Sequence, residues 1–150
     1  MNSRIAFAGA CAAGALALGG CATLEEAAAD ALNTTYTANL TGAQEVGGGD
    51  PDGSGQARIT VEDNFNQVCW NISDIRNIGE VTAAHIHVGA RGVNGPPVFT
   101  LRRANEGTWT GCSAGAEWTQ DRIAGNPERF YVNVHTADYP NGAIRGQLMP

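Results

Sequence analysis

Apolar and polar residues alternate along most of the chain after residue 35. Tyr36, Ala38 and Leu40 alternate with threonine and asparagine, and the same period of two recurs at 57–61 and 68–72. Successive side chains of a β-strand point to opposite faces of its sheet, so this period predicts strands with one buried face.

Five further segments have a strand-like composition or the same alternation. They are EVTAAHIHV, PVFTLR, GTWTGC, RFYVNVHT and GAIRGQL, and turn clusters such as GGGDPDGSG, GARGVNGPP, RRANEG and YPNG lie between the strands. Eight short strands with turns about every ten residues predict a single all-β domain. We expect an antiparallel β-sandwich or a Greek-key barrel.

The start of the chain has a different pattern, which predicts export. Residues 1–20 carry one positive charge, at Arg4, before an apolar run of about 16 residues, which is typical of a signal peptide and too short to span a membrane. The run ends in Leu-Gly-Gly before Cys21 and resembles a bacterial lipobox, in which a signal peptidase cleaves before a lipidated cysteine. The alternative is ordinary secretory cleavage, which would leave Cys21 as a structural thiol.

Residues 21–34 are expected to form the lipidated cysteine and its tether, and residues 35–150 the folded domain. The stretch 23–35 is helix-like, and its position directly behind the lipid favours a spacer. Ala22 and Thr23 provide no acidic residue after the cysteine, which is typical of sorting to an outer membrane. We therefore expect an exported lipoprotein of the bacterial cell envelope, held at the membrane by its lipid.

The cysteine count supports an exported protein. Cys11 leaves with the signal peptide and Cys21 takes the lipid, so the domain keeps Cys69 and Cys112. An even pair is most simply one disulfide, which would close a loop of about 43 residues and contribute roughly 4 kcal/mol. A thiolate metal site is the alternative, and the wide spacing without a C-x-x-C motif disfavours it.

The charge of the chain argues against a nucleic-acid partner. The formal net charge is −6, and it becomes −7 when Arg4 leaves with the signal peptide. All nine basic residues are arginine. Nucleic-acid binding requires a cationic surface that displaces counterions, and this composition does not predict one.

The three histidines of the chain all fall on predicted strands. His85 and His87 are two residues apart and share one face, while Ile86 points to the other. His135 lies opposite the apolar positions of a later strand. Three imidazoles on one face could bind copper or zinc and leave an open position for water. Solvated histidines that bond neighbouring loops are the alternative, because a lone H-x-H is a weak metal motif.

Two other motifs are better explained by structure than by chemistry. GCSAG, residues 111–115, has the letters of a serine-nucleophile elbow, but that motif requires a strand-turn-helix in an α/β sheet. DPDGSG, residues 50–55, begins like a calcium loop, yet its twelfth position holds Val61 where a bidentate glutamate is required. We expect a turn at 50–55.

Four blocks of the sequence resemble, in order, those of a CHRD domain, the module named after chordin and also found singly in exported bacterial proteins. They are LTGAQEV (40–46), GSGQARITV (53–61), VTAAHIHVGARGVNGPPVFTL (81–101) and FYVNVHTADYPNGAIRGQL (130–148). The resemblance covers about residues 35–149 and implies a β-sandwich module with no general enzymatic activity. Gly47, Gly48 and Gly49 stand where family members often carry prolines, which leaves the shape of this loop open.

Three functions are compatible with this resemblance. The first, which we favour, is a binding module with a copper-type ion, or zinc, on His85, His87 and His135, or with an unidentified protein partner. The second is a small copper-dependent redox enzyme. The third is a metal-free adhesion or assembly domain.

The redox enzyme is suggested by analogy alone. Copper/zinc superoxide dismutases are also Greek-key β-sandwiches with an H-x-H strand, but this chain has one histidine too few for their four copper-binding imidazoles. Such an enzyme would also need a cationic guide near the ion, such as Arg91 or Arg145. Otherwise Arg145 is expected to pair with a carboxylate such as Asp138.

Overall fold

The computed structural model describes residues 33–62, 66–114 and 122–150. Its eight strands are β1 (Asn33–Thr41), β2 (Ser54–Glu62), β3 (Gln67–Arg76), β4 (Val81–Val88), β5 (Pro97–Thr100), β6 (Trp109–Ala114), β7 (Phe130–Thr136) and β8 (Ile144–Gln147). Short 3-10 helices lie at Gly42–Gln44 and Pro127–Arg129. The predicted all-β class and the eight predicted strands are confirmed.

The strands form one antiparallel sheet in the order β5-β4-β7-β8-β1-β2-β3-β6. The sheet curls until its two halves face each other. Trp70 in β3 lies edge-on to Phe99 in β5, with ring centroids 5.9 Å apart, and its indole N–H donates to the Arg102 carbonyl at 3.1 Å. The result is a sandwich-like domain built from a single curled sheet.

The hydrophobic core fills the space between the two halves. Alternate residues of the long strands enter it, as the period of two predicts, and Ile59, Ile86 and Val132 have no exposed surface. Burying each such side chain contributes about 1.5–3 kcal/mol. The inner face of the sheet is therefore the main source of stability.

Strand β7 is buried on its other face as well. Two loops cover the outer side of β4, β7 and β8. Residues 42–53 approach through the Asp50 N–H, which donates to the Ala143 carbonyl at 2.9 Å. Residues 89–96, called here the β4–β5 loop, begin with the Gly89 N–H donating to the Arg129 carbonyl at 2.7 Å. The polar side chains of this half are thus enclosed between sheet and loops.

The first of these loops needs glycine for its path. Gly47 and Gly48 have φ angles of +101° and +97°, which proline cannot adopt. This accounts for the departure from the proline-containing pattern. The turn predicted at 50–55 is also present, where the Gly53 N–H donates to the Asp50 carbonyl at 3.1 Å.

Cys69 and Cys112 form the predicted disulfide. They lie directly opposite each other on β3 and β6, because the register of these antiparallel strands pairs them. The bond removes the alternative of a thiolate metal site. The same register places most of GCSAG, residues 111–114, inside β6 rather than at a strand-turn-helix elbow.

The amino-terminal predictions fall mostly outside the described residues. The signal peptide 1–20, Cys21 and the tether up to residue 32 are among them. Strand β1 begins at Asn33, so the last three residues of the helix-like stretch 23–35 are strand, in keeping with the β-propensity of their two threonines. Among the described residues, no helix has the length and apolar character needed to cross a membrane.

Candidate metal centre

Two neighbouring strands carry the three histidines on the outer face of the sheet. β4 supplies His85 and His87, and β7 supplies His135. The register sets Ala83 opposite His135 and His85 opposite Asn133, so His135 is the diagonal neighbour of His85. Side chains of this length can touch across such a diagonal.

The three imidazoles converge, as the sequence predicts. His85 Nδ1 is 3.1 Å from His135 Nε2. The ring centroid of His87 is 5.7 Å from that of His85 and 6.1 Å from that of His135. One ligand nitrogen from each ring lies within 4.8 Å of the other two. Tetrahedral ligation with bonds near 2.0 Å needs nitrogens roughly 3.3 Å apart, a separation close to that of His85 Nδ1 and His135 Nε2.

His87 has one nitrogen bonded and the other available. Its Nδ1 is 2.8 Å from the Gly95 carbonyl oxygen, and because a carbonyl only accepts, Nδ1 carries the hydrogen. Nε2 is then the unprotonated nitrogen of the neutral ring, and it is buried without a hydrogen-bond partner among the described residues. A buried polar atom without a partner requires an explanation, and a ligand nitrogen provides one.

His135 has the same kind of support from a different loop. Its Nδ1 donates to the Pro140 carbonyl at 3.1 Å, which leaves Nε2 facing His85. Pro140 belongs to the predicted YPNG turn, which the Gly142 N–H closes by donating to the Tyr139 carbonyl at 3.1 Å. Metal-binding histidines commonly donate their second N–H to a carbonyl in this way.

Burial favours the uncharged form of the three rings. Desolvation is the main cause that lowers the pKa of His85, His87 and His135 below the ordinary value of 6.5. The proximity of His135 lowers the pKa of His85 further, while the bond to Gly95 partly opposes the effect at His87. Neutral imidazole is the form that binds metal.

Tyr131 is a residue of this centre that sequence reasoning missed. Its ring stacks on His87 with centroids 4.9 Å apart and planes 19° apart. The guanidinium carbon of Arg145 lies 3.4 Å from the same ring centroid. The signal was available, because Tyr131 shares the face of His135 in the period of two.

Arg145 is not where the sequence placed it. The prediction that it pairs with Asp138 is wrong, because its hydrogen bonds go to the β4–β5 loop. Arg145 is 1% exposed, and its guanidinium donates to the Ala90 and Val93 carbonyls at 3.0 Å and to Asn94 Oδ1 at 3.3 Å. The loop carbonyls satisfy the guanidinium inside the protein, and the acidic residue that interacts with it electrostatically is Glu45 rather than Asp138.

A second polar cluster lies beside the histidines and was also missed. Glu45 Oε1 and Asn133 Oδ1 are buried without partners among the described residues. A Cβ added to Gly142 would lie 2.4 Å from the first oxygen and 2.6 Å from the second, so both crowd this glycine. Burial raises the pKa of Glu45 to about 7, against the opposing effect of Arg145. Nothing in the sequence marks Glu45 as buried.

Comparison with known proteins identifies the family of this domain. No curated protein and no solved structure matches the chain. The family model of the CHRD domain does match, over residues 36–148, which span all eight strands apart from the first three residues of β1. The chain therefore belongs to the CHRD domain family.

Proposed function

We propose that this protein is a metal-binding CHRD module, anchored by lipid in the bacterial cell envelope, which binds one copper ion through His85, His87 and His135. The observation that carries the proposal is the buried, unpartnered Nε2 of His87, which lies in a cluster of three imidazoles. Burying such an atom without a partner costs roughly 1–3 kcal/mol, and a bound ion would remove that cost.

We propose copper rather than zinc because copper has the higher affinity for imidazole ligands. Imidazole nitrogen accepts both ions, and the general order of divalent affinities places copper above zinc for the same ligands. Three protein ligands also leave a fourth position, and His85, which is only partly buried, lies where solvent could reach it. The module could therefore hold copper and exchange it with a partner.

The test is copper binding by residues 22–150, purified without a histidine tag. We expect one equivalent of Cu(II) by titration and elemental analysis, and its loss in His135→Ala. The matched control is Asn71→Ala, on the exposed outer face of the other half of the sheet, which should bind like the parent protein. Absence of binding above background in the parent protein would refute the metal site and leave the adhesion or assembly domain as the better account.

The redox-enzyme alternative has less support. Arg145 is buried and bonded to loop carbonyls, so it is not an open cationic guide. Arg91, the other candidate for a cationic guide, is hydrogen-bonded on the surface, where it donates to Gln44 Oε1 at 2.9 Å. We therefore expect the copper-loaded protein to show no superoxide dismutation above that of free copper at equal concentration, and a clearly higher rate would favour the enzyme.

The lipid anchor is a separate part of the proposal. It rests on the lipobox-like sequence that ends in Cys21. Growth with a labelled fatty acid should label the protein, and Cys21→Ser should remove the label and release the domain from the membrane fraction. An unlabelled protein cut at another residue would show ordinary secretion instead.

A further inference from the structure

The β4–β5 loop determines how the His87 ring is held. Its Gly95 carbonyl is the only acceptor that the described residues offer to either His87 ring nitrogen, at 2.8 Å. Loops of this length have many possible conformations, so contacts between the loop and the neighbouring strands must fix the position of Gly95. On one side of Gly95 the Pro96 carbonyl accepts from the Val88 N–H of β4 at 3.2 Å. On the other side the loop is held from β8, three strands away from the end of the sheet at β5.

Arg145 provides the contacts from β8 to the part of the loop before Gly95. Its Nη2 donates to the Ala90 and Val93 carbonyls, both at 3.0 Å, and its Nη1 to Asn94 Oδ1 at 3.3 Å. A buried cation is tolerated only when it is well hydrogen-bonded, so burying this guanidinium requires the loop carbonyls at these positions. The loop is therefore fixed immediately before Gly95.

Tyr131 gives Arg145 a second connection to His87. The tyrosine ring contacts the guanidinium at 3.4 Å and stacks on the His87 imidazole, with centroids 4.9 Å apart. Its hydroxyl accepts from the Gly95 N–H at 3.2 Å. Both the plane of the imidazole and the carbonyl that orients it thus depend on groups in contact with Arg145.

We propose that Arg145 is a positioning residue of the metal centre, which fixes the β4–β5 loop and the Tyr131 ring so that His87 presents Nε2 to the ion. The inference rests on the proposed metal-binding function. It assigns a role to the segment AIRGQL, residues 143–148, whose strand β8 carries none of the three histidines. Arg145 itself has no contact with the ion in this account.

Gln147 makes the proposal testable without loss of the whole loop. Its Nε2 donates to the Gly89 carbonyl at 2.8 Å and to the Phe130 carbonyl at 2.8 Å. The start of the β4–β5 loop therefore stays attached when Arg145 is replaced. Arg145→Lys retains the charge but lacks the planar fork that bonds three acceptors at once.

The experiment compares parent and Arg145→Lys proteins, as residues 22–150, with and without copper. Without metal, nitrogen-15 NMR of the His87 ring should show the Nδ1–H tautomer in the parent and a mixture of tautomers in the variant. With copper, the variant should bind roughly tenfold more weakly or worse, as is typical when an outer-shell contact is lost. Its Cu(II) electron paramagnetic resonance spectrum should also change.

Ile144→Val is the matched control. Ile144 neighbours Arg145 on β8 but belongs to the hydrophobic core, so this change weakens the same strand without altering the loop contacts. Its His87 tautomer and copper spectrum should equal those of the parent. A purely structural role for Arg145 predicts that the lysine variant behaves like this control.

The outcomes separate the two proposals. An unchanged tautomer and copper spectrum in folded Arg145→Lys protein would overturn the positioning role. A parent protein that binds no copper would overturn the proposed function, while the metal-free NMR comparison would still decide whether Arg145 orients His87. If the lysine variant does not fold, Arg145→Gln, which keeps an amide donor but lacks the fork that bonds all three acceptors, takes its place, and a parent-like tautomer and spectrum there would overturn the role as well.

Discussion

The two faces of the sheet at β7 and at Ile86 and His87 of β4 are both enclosed, but they are enclosed by different kinds of structure. On the inner face, Ile86 has no exposed surface because it packs against side chains of the opposite half of the sheet. On the outer face its neighbour His87 is 8% exposed because the β4–β5 loop and Tyr131 cover it. Burial alone therefore does not separate a core position from a site position.

Hydrogen bonding is what separates the two faces. Apolar side chains need no partners, whereas every buried polar atom of the outer face needs one. Arg145 and Gln147 find theirs in loop carbonyls. The buried side-chain atoms without partners in the described part of the chain are Glu45 Oε1, His87 Nε2 and Asn133 Oδ1, and all three belong to the outer face of this half. The inner face stabilises the fold, and the outer face offers polar atoms for binding.

The disulfide gives the largest expected effect on stability without any effect on the metal centre. Replacing Cys69 and Cys112 with alanine opens a covalent loop with a sequence separation of 43, which should lower the free energy of unfolding by about 4 kcal/mol. Urea denaturation measures the loss. Copper affinity of the folded protein should not change, and a fall in affinity would show that the two halves of the sheet are coupled.

Ile86→Ala tests the inner face directly beside a proposed ligand. Truncating a fully buried isoleucine should cost about 3 kcal/mol of unfolding free energy, since it leaves a cavity in the core. One equivalent of copper should still bind, because His85 and His87 point to the other face. Urea denaturation and copper titration of the same sample test both statements, and loss of copper from a still folded variant would contradict the separation of faces.

His87→Ala is the reciprocal test on the outer face. Loss of a ligand should weaken copper binding by at least about 100-fold, which corresponds to about 2.7 kcal/mol. The free energy of unfolding without metal should fall less than in Ile86→Ala, since the core stays packed. A competition titration gives the affinity. If the stability loss of this variant exceeded that of Ile86→Ala, His87 would be primarily a structural residue.

Glu45 should make stability depend on pH. Burial raises the pKa of Glu45 to about 7 from an ordinary value of 4.5, so the folded chain holds this proton when the unfolded chain has lost it. The contribution is present at low pH and is lost as the pH rises from about 4.5 to 7. Glu45→Gln keeps a neutral side chain, so its unfolding free energy relative to the parent should rise over this interval.

The histidines act in the opposite direction and provide the control for Glu45. Their lowered pKa values mean that the unfolded chain takes up protons first, so stability is lost as the pH falls below about 6.5. This acid loss should be the same in the parent and in Glu45→Gln. Thermal unfolding across pH 4 to 8 measures both slopes, and a parent-like slope in the variant between about pH 4.5 and 7 would show that Glu45 does not titrate in this range.

The sequence predicted the elements that follow from local periodicity. The period of two determines which residues share a face, so the strands, the core positions and the common face of His85 and His87 could all be predicted. The disulfide was predicted from the expected export of the protein and from the even number of cysteines left in the domain. The resemblance to the family, which carried the order of the blocks, is confirmed over residues 36–148.

Loop positions could not be predicted in the same way. Arg145 was expected beside Asp138, near in sequence, but its partners Ala90, Val93 and Asn94 lie more than 50 residues away. Such contacts depend on how β4, β7 and β8 align in the sheet, and a single sequence does not state that alignment. The burial of Glu45 has the same cause, since it depends on where the 42–53 loop crosses the sheet.

The smallest expected effect concerns the outer face of the other half, which has no covering loop over β1 and β2 in the described residues. Thr35 and Thr60 are cross-strand neighbours whose hydroxyls form a solvent-exposed bond of 2.9 Å. Thr60→Val keeps the β-branched shape and removes the bond. Because water replaces an exposed hydroxyl partner, the unfolding free energy should change by less than about 0.5 kcal/mol. Copper affinity should stay the same. A loss greater than about 1 kcal/mol, measured by urea denaturation, would mean that the hydroxyl pair stabilises this face and that the face is not simply hydrated.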